Sequence, residues 1–464
     1  MGRGFVYRAG MMAAIGGFLF GYDLGVISGV LVTDSFNDFF QPMSSMKQGL
    51  IVSMLMLGCF VGSLISGVTT ERIGRKFTIM AASLVFIVGA MLQCLASDIV
   101  MLYIGRLVGG LGVGHLSMTV PMYLSEISPP EVRGRLVSLQ QMSVTLGVAI
   151  SFWIDYACGQ LPEELVWRVP LGIQALPAIV LLVGSLFLPY SPRWLMSKGR
   201  EELAQKTLVK LRGGDVAEEL AGIRESLQQT QSSYANLFRH PHSKRMVRGI
   251  GIQFMHQMSG IIAIIYYAPI IFQNSGLDGH RASLLAQGIN GLVHVTCTIP
   301  AILYVDRWGR RPMLMAGALV MATSMGAVAL LTGAFQISDH QHPVASYLTI
   351  MFIFIFVGAF SCTWGPVGWI YPSEIFPQPI RARAISITTA TNLLMNYLVG
   401  LFMPILREKL GWIIYVFFSG VGLAMFATVY FFFPETRGRS IEDMDIVFGT
   451  KPANTYPTVE KLKD

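Results

Sequence analysis

Residues 123–135 read YLSEISPPEVRGR, and 248 positions later residues 371–383 read YPSEIFPQPIRAR. Tyr, Ser-Glu-Ile, Pro and Arg recur at that one offset. ERIGRK (71–76) is echoed by DRWGRR (306–311), 235 positions on, and PYSPR (189–193) more loosely by PETRG (434–438). Each polar motif closes an apolar run, so the chain reads as one unit used twice in the same orientation. Such parallel repeats in a membrane bind substrate between the halves and work by rocking one half against the other.

The apolar runs support that reading. The 464 residues are 53% hydrophobic and only 13% charged, where a soluble domain carries about 25% charged residues; the mean hydropathy is +0.55. Runs of about 20 apolar residues suit a membrane crossing. Twelve candidates lie near 9–31, 48–69, 77–97, 99–124, 135–157 and 169–189, then 248–272, 283–305, 312–335, 346–371, 382–405 and 411–433. The expected fold is all-α: two parallel six-helix repeats, 1–190 and 248–433, joined by a cytoplasmic helical linker at 191–247 and followed by a tail at 434–464. Within the linker, 194–235 has apolar residues at helical spacing and reads as short amphipathic helices; a flexible linker is the alternative. The first apolar run is too long for a cleaved leader and leads straight into further spans.

Basic residues concentrate in alternate connections: 71–76, 131–135, 191–248, 306–311 and 381–383. The positive-inside rule puts these, and with twelve spans both termini, in the cytoplasm. The net charge of +7 therefore reflects topology and gives no ground for nucleic-acid binding. Five cysteines, at 59, 94, 158, 297 and 362, show no paired spacing for a disulfide framework or a metal site.

Nine stretches together resemble the sugar porter family of the major facilitator superfamily, most of all its fungal hexose/proton symporters. They are GYDLGVISG (21–29), ERIGRK (71–76), GRLVGGLGVG (105–114), VPMYLSEISPPEVRG (120–134), LPYSPRWL (188–195), HQMSG (256–260), DRWGRR (306–311), GPVGWIYPSEIFP (365–377) and PETRG (434–438). The resemblance spans nearly the whole chain and implies sugar transport, a monomer in the plasma membrane, and no cofactor.

Two charges lie inside spans. Asp23 stands about seven residues before the outer end of span one, and Arg106 about seven after the outer start of span four, which places both roughly 10 Å below the outer surface. At one depth they neutralise each other, relieving a cost of about 2.5–3.5 kcal/mol for a lone intramembrane charge. One reading is a static pair. The other is a proton switch, in which protonating Asp23 releases Arg106; the resemblance favours it. At the cytoplasmic helix ends, Glu71, Arg72, Arg75, Glu126 and Arg133 recur as Asp306, Arg307, Arg310, Glu374 and Arg381. The resemblance implies a charge network that ties the halves shut on the inside; ordinary positive-inside anchoring explains them as well. Gly74 and Gly309 suit tight turns between spans. Tyr190 departs from the family, which has Glu there.

A sugar needs amides for its hydroxyls and an aromatic against its ring face. Gln141, Gln257 and Asn392 fall near the midplane of three different spans, with Gln253 and Asn396 one turn from the latter two and Trp369 close to the breaker pair Gly365-Pro366. The resemblance assigns Gln141, Gln257, Trp369 and Asn392 to the substrate. Phe18, Tyr22, Tyr266 and Tyr267 could form an apolar wall or outer gate, or be simply packing. His256, Ile262, His294 and Leu393 stand where the family has Gln, Asn, Asn and Trp, so the identity of the sugar is less secure than transport itself. His256 and His294 read as neutral stand-ins for amides, or as a second proton site.

The function expected is proton-coupled uptake of a monosaccharide or related polyol. A uniporter of the same fold, and a sugar sensor, are the alternatives. No phosphate-binding loop, metal-ligand cluster or nucleophile–base pair suggests an enzyme, and without a nucleotide motif the drive must come from gradients.

Overall fold

The computed structural model describes residues 2–41, 43–129, 133–214, 216–228, 237–238, 242–274, 280–338, 343–376, 378–437 and 448. Regular structure among them is helical throughout. The first half comprises α1 (Gly2–Val30), a short α2 (Asp34–Phe39), α3 (Ser45–Ile73), α4 (Arg75–Cys94), α5 (Ile99–Ile127), α6 (Arg133–Cys158), α7 (Leu165–Ile173) and α8 (Ala175–Ser185). Three short helices follow: α9 (Pro192–Ser197), α10 (Glu201–Arg212) and α11 (Ala217–Gln228). The second half comprises α12 (Ser243–Met258), α13 (Ile261–Asn274), α14 (His280–Trp308), α15 (Arg310–Ser338), α16 (Pro343–Cys362), α17 (Trp364–Ile375), α18 (Gln378–Leu410) and α19 (Ile413–Phe432).

Among the described residues, eleven helical segments have the length and apolarity to cross a membrane. The twelfth is α6, 26 residues with two Gln and an Asp among its apolar positions. Three crossings are broken into two helices. Span six breaks at Gln174 and span seven at Ser259–Gly260, where Gly260 takes φ +95°. Span ten breaks at Thr363, just ahead of the Gly365-Pro366 pair, at φ −129°, ψ −79°.

The turns α3–α4 and α14–α15 lie at one end of the bundle, with α9–α11; we call it the basic end. Gly74 and Gly309 both adopt φ +86° there, a conformation that disfavours any side chain. The α10 segment is helical, buries Leu208 and Leu211, and ends at Gly213 in the left-handed region. Arg212 then donates to the carbonyls of Ile127 and Ser128 at 2.8 and 3.3 Å, satisfying the last carbonyls of α5. Phe448 lies buried under the guanidinium groups of Arg245 and Arg248, at 4.9 and 5.1 Å. The other residues of the stretch 440–448 (SIEDMDIVF) lie outside the described residues.

Glycines set how closely the helices approach. Gly17, Gly21, Gly25 and Gly29, one per turn of α1, lie against Gln140, Val144, Ser151 and Asp155 of α6. Gly105 and Gly112 of α5 lie against Gln93 and Ala82 of α4. Small residues in one stripe let backbones touch, which is how helices associate where lipid removes the hydrophobic drive.

The halves meet at the end opposite the basic one. There α3 packs on α18, α6 on α14 and α1 on α13. The Leu401 main chain abuts Gly49, Val52 abuts Gly400, and Trp153 and Phe152 abut Gly288 and Gly291. Ser45 donates a hydrogen bond to Glu408 across the same seam. At the basic end, no ion pair joins the halves among the described residues. The molecule is closed at its far end.

Candidate transport site

Asp23 and Arg106 meet in the interior of the first half. Both side chains are 0% exposed, and Arg106 Nη1 donates to Asp23 Oδ1 at 3.1 Å. The same nitrogen reaches Gln93 Oε1 at 3.4 Å, and Gln93 in turn donates to the carbonyl of Gly105 at 3.4 Å. A Cβ built on Gly109 would lie 4.0 Å from Asp23 Oδ2, so the glycine-rich face of α5 leaves the carboxylate room beside it. The contact is a single hydrogen bond, although guanidinium and carboxylate can form two in parallel. Asp23 Oδ2 and Arg106 Nε and Nη2 are buried without partners. Such orphan atoms cost about 1–3 kcal/mol each, and a pair with only a structural purpose gains nothing by keeping them.

The second half presents a polar network at the seam of α12, α17 and α18, centred on Asn392. Its Oδ1 accepts from Gln257 Nε2 at 2.7 Å, and its Nδ2 donates to Gln253 Oε1 at 2.7 Å and lies 3.4 Å from His256 Nδ1. Gln253 Nε2 donates to the carbonyl of Gly368 at 3.0 Å, one residue before Trp369. Since His256 Nδ1 accepts, the ring proton sits on Nε2. That Nε2 is buried without a partner, as are Gln257 Oε1 and His294 Nε2. Phe360 lies between the two imidazoles, 4.9 Å from His256 and 6.5 Å from His294, and the half-buried Trp369 ring is 6.4 Å from His256.

The structure thus brings Gln253, His256, Gln257, Trp369, Asn392 and His294 together. Asn396 is turned to another task and accepts from Tyr266 Oη at 3.2 Å. Gln141 lies half-buried in the other half, with no protein hydrogen bond among the described residues. Tyr22 and Tyr267 donate to the carbonyls of Pro170 and Gly400, at 3.0 and 2.9 Å. The four aromatics expected as a gate are therefore, Phe18 apart, bonded and buried at this closed end.

At the basic end the charges pair within each half. Arg75 contacts Glu126 at 2.7 Å, and its repeat Arg310 contacts Glu374 at 2.6 Å. Glu71 and Arg72 are exposed; the Glu71 carbonyl accepts from Trp194 Nε1 at 3.1 Å. Arg307 lies over Tyr304 at 5.8 Å. The side chains of Arg133, Asp306 and Arg381 lie outside the described residues. Tyr190 replaces an ionic link by packing: it stacks on Trp194 and carries Lys76 over its ring at 5.2 Å, while Ser191 donates to Glu126. The second half keeps the ionic version. There Glu435 accepts from the backbone N–H groups of Arg310 and Arg311, both at 2.9 Å, and Thr436 donates to Glu374 at 2.6 Å.

Five residues escaped the sequence reading. Gln93 completes the ion-pair site, Glu435 holds the second basic turn, and Gln287 and Asn290 are buried polar groups of α14. Asp155 of α6 is a second carboxylate buried in an apolar run. Glu435 and Asp155 were signalled, the first inside PETRG and the second as a lone acid in FWIDYAC. The others are amides, which sequence alone does not tell from packing groups. Among the described residues, no group of His, Cys, Asp and Glu is placed to hold a metal.

Two six-span repeats meeting at a seam, with broken helices and a polar network at mid-span, define a major facilitator superfamily transporter, an integral membrane protein and not an enzyme. The chain belongs to the sugar (and other) transporter family, whose model matches residues 9–448. It is 34% identical to the MFS glucose transporter mfs1 of Aspergillus flavus, over 96% of this chain and 89% of that protein. It is 32% identical to the high-affinity glucose transporter of Kluyveromyces lactis, over 99% and 89%. Among solved structures, the proton:xylose symporter XylE bound to 6-bromo-6-deoxy-D-glucose superposes with a TM-score of 0.83 at 28% identity, covering 97% of this chain and 100% of that one. The inward-open form of the xylose transporter XylE from E. coli gives 0.79 at 28%, covering 95% and 99%.

Proposed function

We propose that this protein couples the inward movement of a proton to uptake of a monosaccharide or related polyol, by alternating access, in the plasma membrane. The basic end is cytoplasmic, with both termini, and the chain works as a monomer. The observation that carries the coupling is the half-made Asp23–Arg106 pair, buried at 0% exposure yet joined by one hydrogen bond. A proton arriving at Asp23 Oδ2 removes the charge that holds Arg106; its departure re-forms the pair. The Asn392 network recognises the sugar. Gln257 Oε1 accepts from a hydroxyl and His256 Nε2–H donates to one, which satisfies atoms otherwise orphaned. Trp369 offers the ring face. Gln141 contributes the contact from the first half, so closure around the sugar draws the halves together. Asn396 and His294 support the site, Asn396 by holding Tyr266.

In a host lacking its own hexose carriers, the test records external pH while glucose, galactose, fructose, xylose and polyols are added in turn. Alkalinisation with one or a few of them, abolished by Asp23→Asn, is the expected result. Labelled sugar that only equilibrates, without a proton signal and with little effect of Asp23→Asn, would establish a uniporter with a structural ion pair.

A further inference from the structure

Asp155 lies on α6 in the last turn before Cys158, at the level of Gly29 on the parallel helix α1. Gly29 is six residues beyond Asp23, which sets Asp155 about 9 Å nearer the far end than Asp23. Asp155 is 5% exposed, and neither carboxyl oxygen has a side-chain hydrogen-bond partner; the one donor beside it is the backbone N–H of Gly29. It packs on the main chain of Gly29, where a Cβ of any other residue would displace it. The titratable groups that face it are Tyr22 from α1 and Cys158 from its own helix. No charged side chain on α5, α7, α14 or α17 interacts with it among the described residues. Asp23, as deeply buried in its bundle, has a guanidinium beside it; Asp155 has none among the described residues.

A carboxylate with no cation beside it is costly to bury, and the neutral acid avoids that cost. Asp155 is buried against α1 of its own half, and the far-end seam begins two and three residues earlier on α6, where Trp153 and Phe152 pack on Gly288 and Gly291 of the other half, so that opening the seam brings water up to it. We propose that Asp155 is a second proton-binding site of the first half, which takes a proton from the outer side, holds it while that side is closed and gives it up when the seam opens. Tyr22, beside Asp23 in sequence, is within electrostatic reach of both carboxyls. This role in the cycle rests on the proton-coupled reading above, whereas occupancy by a proton is a property of the protein alone and is measured as such.

The experiment is infrared spectroscopy of the purified protein in lipid nanodiscs, following the C=O stretch of protonated carboxyl groups at neutral pH. Wild type and Asp23→Asn are expected to share a band that Asp155→Asn removes. Gly49→Trp wedges α18 away from α3 and opens the far end, as confirmed by faster maleimide labelling of a cysteine placed at Phe152; there the band should fall severalfold. Should the Asn variant fail to elute as a monodisperse species, Asp155→Glu moves the carboxyl and must shift the band instead. A band untouched by either substitution overturns the proposal, and so does one that Asp155→Asn removes but opening leaves unchanged. If wild type shows no sugar-evoked alkalinisation while these results hold, the symport reading falls and the proton site stands.

Discussion

The α1–α6 seam predicts a sharp contrast between two glycine-to-alanine changes. A Cβ on Gly21 would lie 2.7 Å from the carbonyl carbon of Val144 and 3.0 Å from its Cα, and it would overlap the carbonyl oxygen. These are backbone atoms, which cannot swing aside, so α1 must retreat by about 1 Å, and a gap of that size forfeits roughly half of the local dispersion attraction. Because Gly17, Gly25 and Gly29 share the seam, the retreat is felt over three further turns. The cost belongs at the top of the overpacking range, about 3 kcal/mol. Alanine returns about 1 kcal/mol through its better helix propensity, leaving a net loss of about 2 kcal/mol. Gly420, inside α19, has nothing within 4 Å of its Cβ position, so Gly420→Ala keeps only the gain. Purified variants heated in detergent and scored by the monodisperse fraction should rank Gly420→Ala at or above wild type and Gly21→Ala well below. Equal melting of the two variants would refute the close-packed seam.

Three further predictions follow from named contacts. Arg106→Met leaves Asp23 as an uncompensated buried charge and should cost about 3–5 kcal/mol, most of it recovered in Arg106→Met/Asp23→Asn; a thermal double-mutant cycle that shows simple additivity would contradict the pairing. Asn392→Ala orphans Gln253 Oε1 and Gln257 Nε2 at about 1–3 kcal/mol each, so the sugar concentration for half-maximal counterflow should rise tenfold or more, while Asn396→Ala, which frees only Tyr266 Oη, should move it less. Glu435→Ala removes the acceptor for two backbone N–H groups at the basic turn and should lower thermal stability by about 1–2 kcal/mol; Tyr190→Phe, which keeps the stack on Trp194, should change nothing measurable in the same melt.

Legibility in the sequence followed the range of each interaction. The twelve crossings and their duplication were readable because burial in lipid is a property of a run of residues and needs no partner. Asp23 and Arg106 could be paired because helix rise fixes depth, so two charges counted from the same surface had to lie level. The Asn392 hub was only partly accessible: helical spacing put Gln253 and Gln257 on one face, but which face met α18 depended on packing. Asn396 shows the limit, for one turn of helix moved it from the hub to the Tyr266 hydroxyl. The sequence also offered no way to tell which end of the seam is closed, since alternating access requires the same chain to fit both.

The two repeats hold their basic turns differently. The first uses Tyr190 stacked on Trp194 beneath Lys76, and the second uses the carboxylate of Glu435 on two backbone N–H groups. An aromatic stack tolerates a change of tilt, whereas a carboxylate capping a turn is lost once its geometry changes by a fraction of an ångström. The first half also carries both buried carboxylates, Asp23 and Asp155, and the more densely glycine-packed seams. On the proposed reading, the first half answers to protons on a compliant mount and tilts as a body against a second half that holds the Asn392 network and keeps a stiff one. On that reading the larger motion falls to the first half and most of the recognition to the second, and charge on the first half is coupled to the geometry of the second through the seam of α3 with α18, α6 with α14 and α1 with α13.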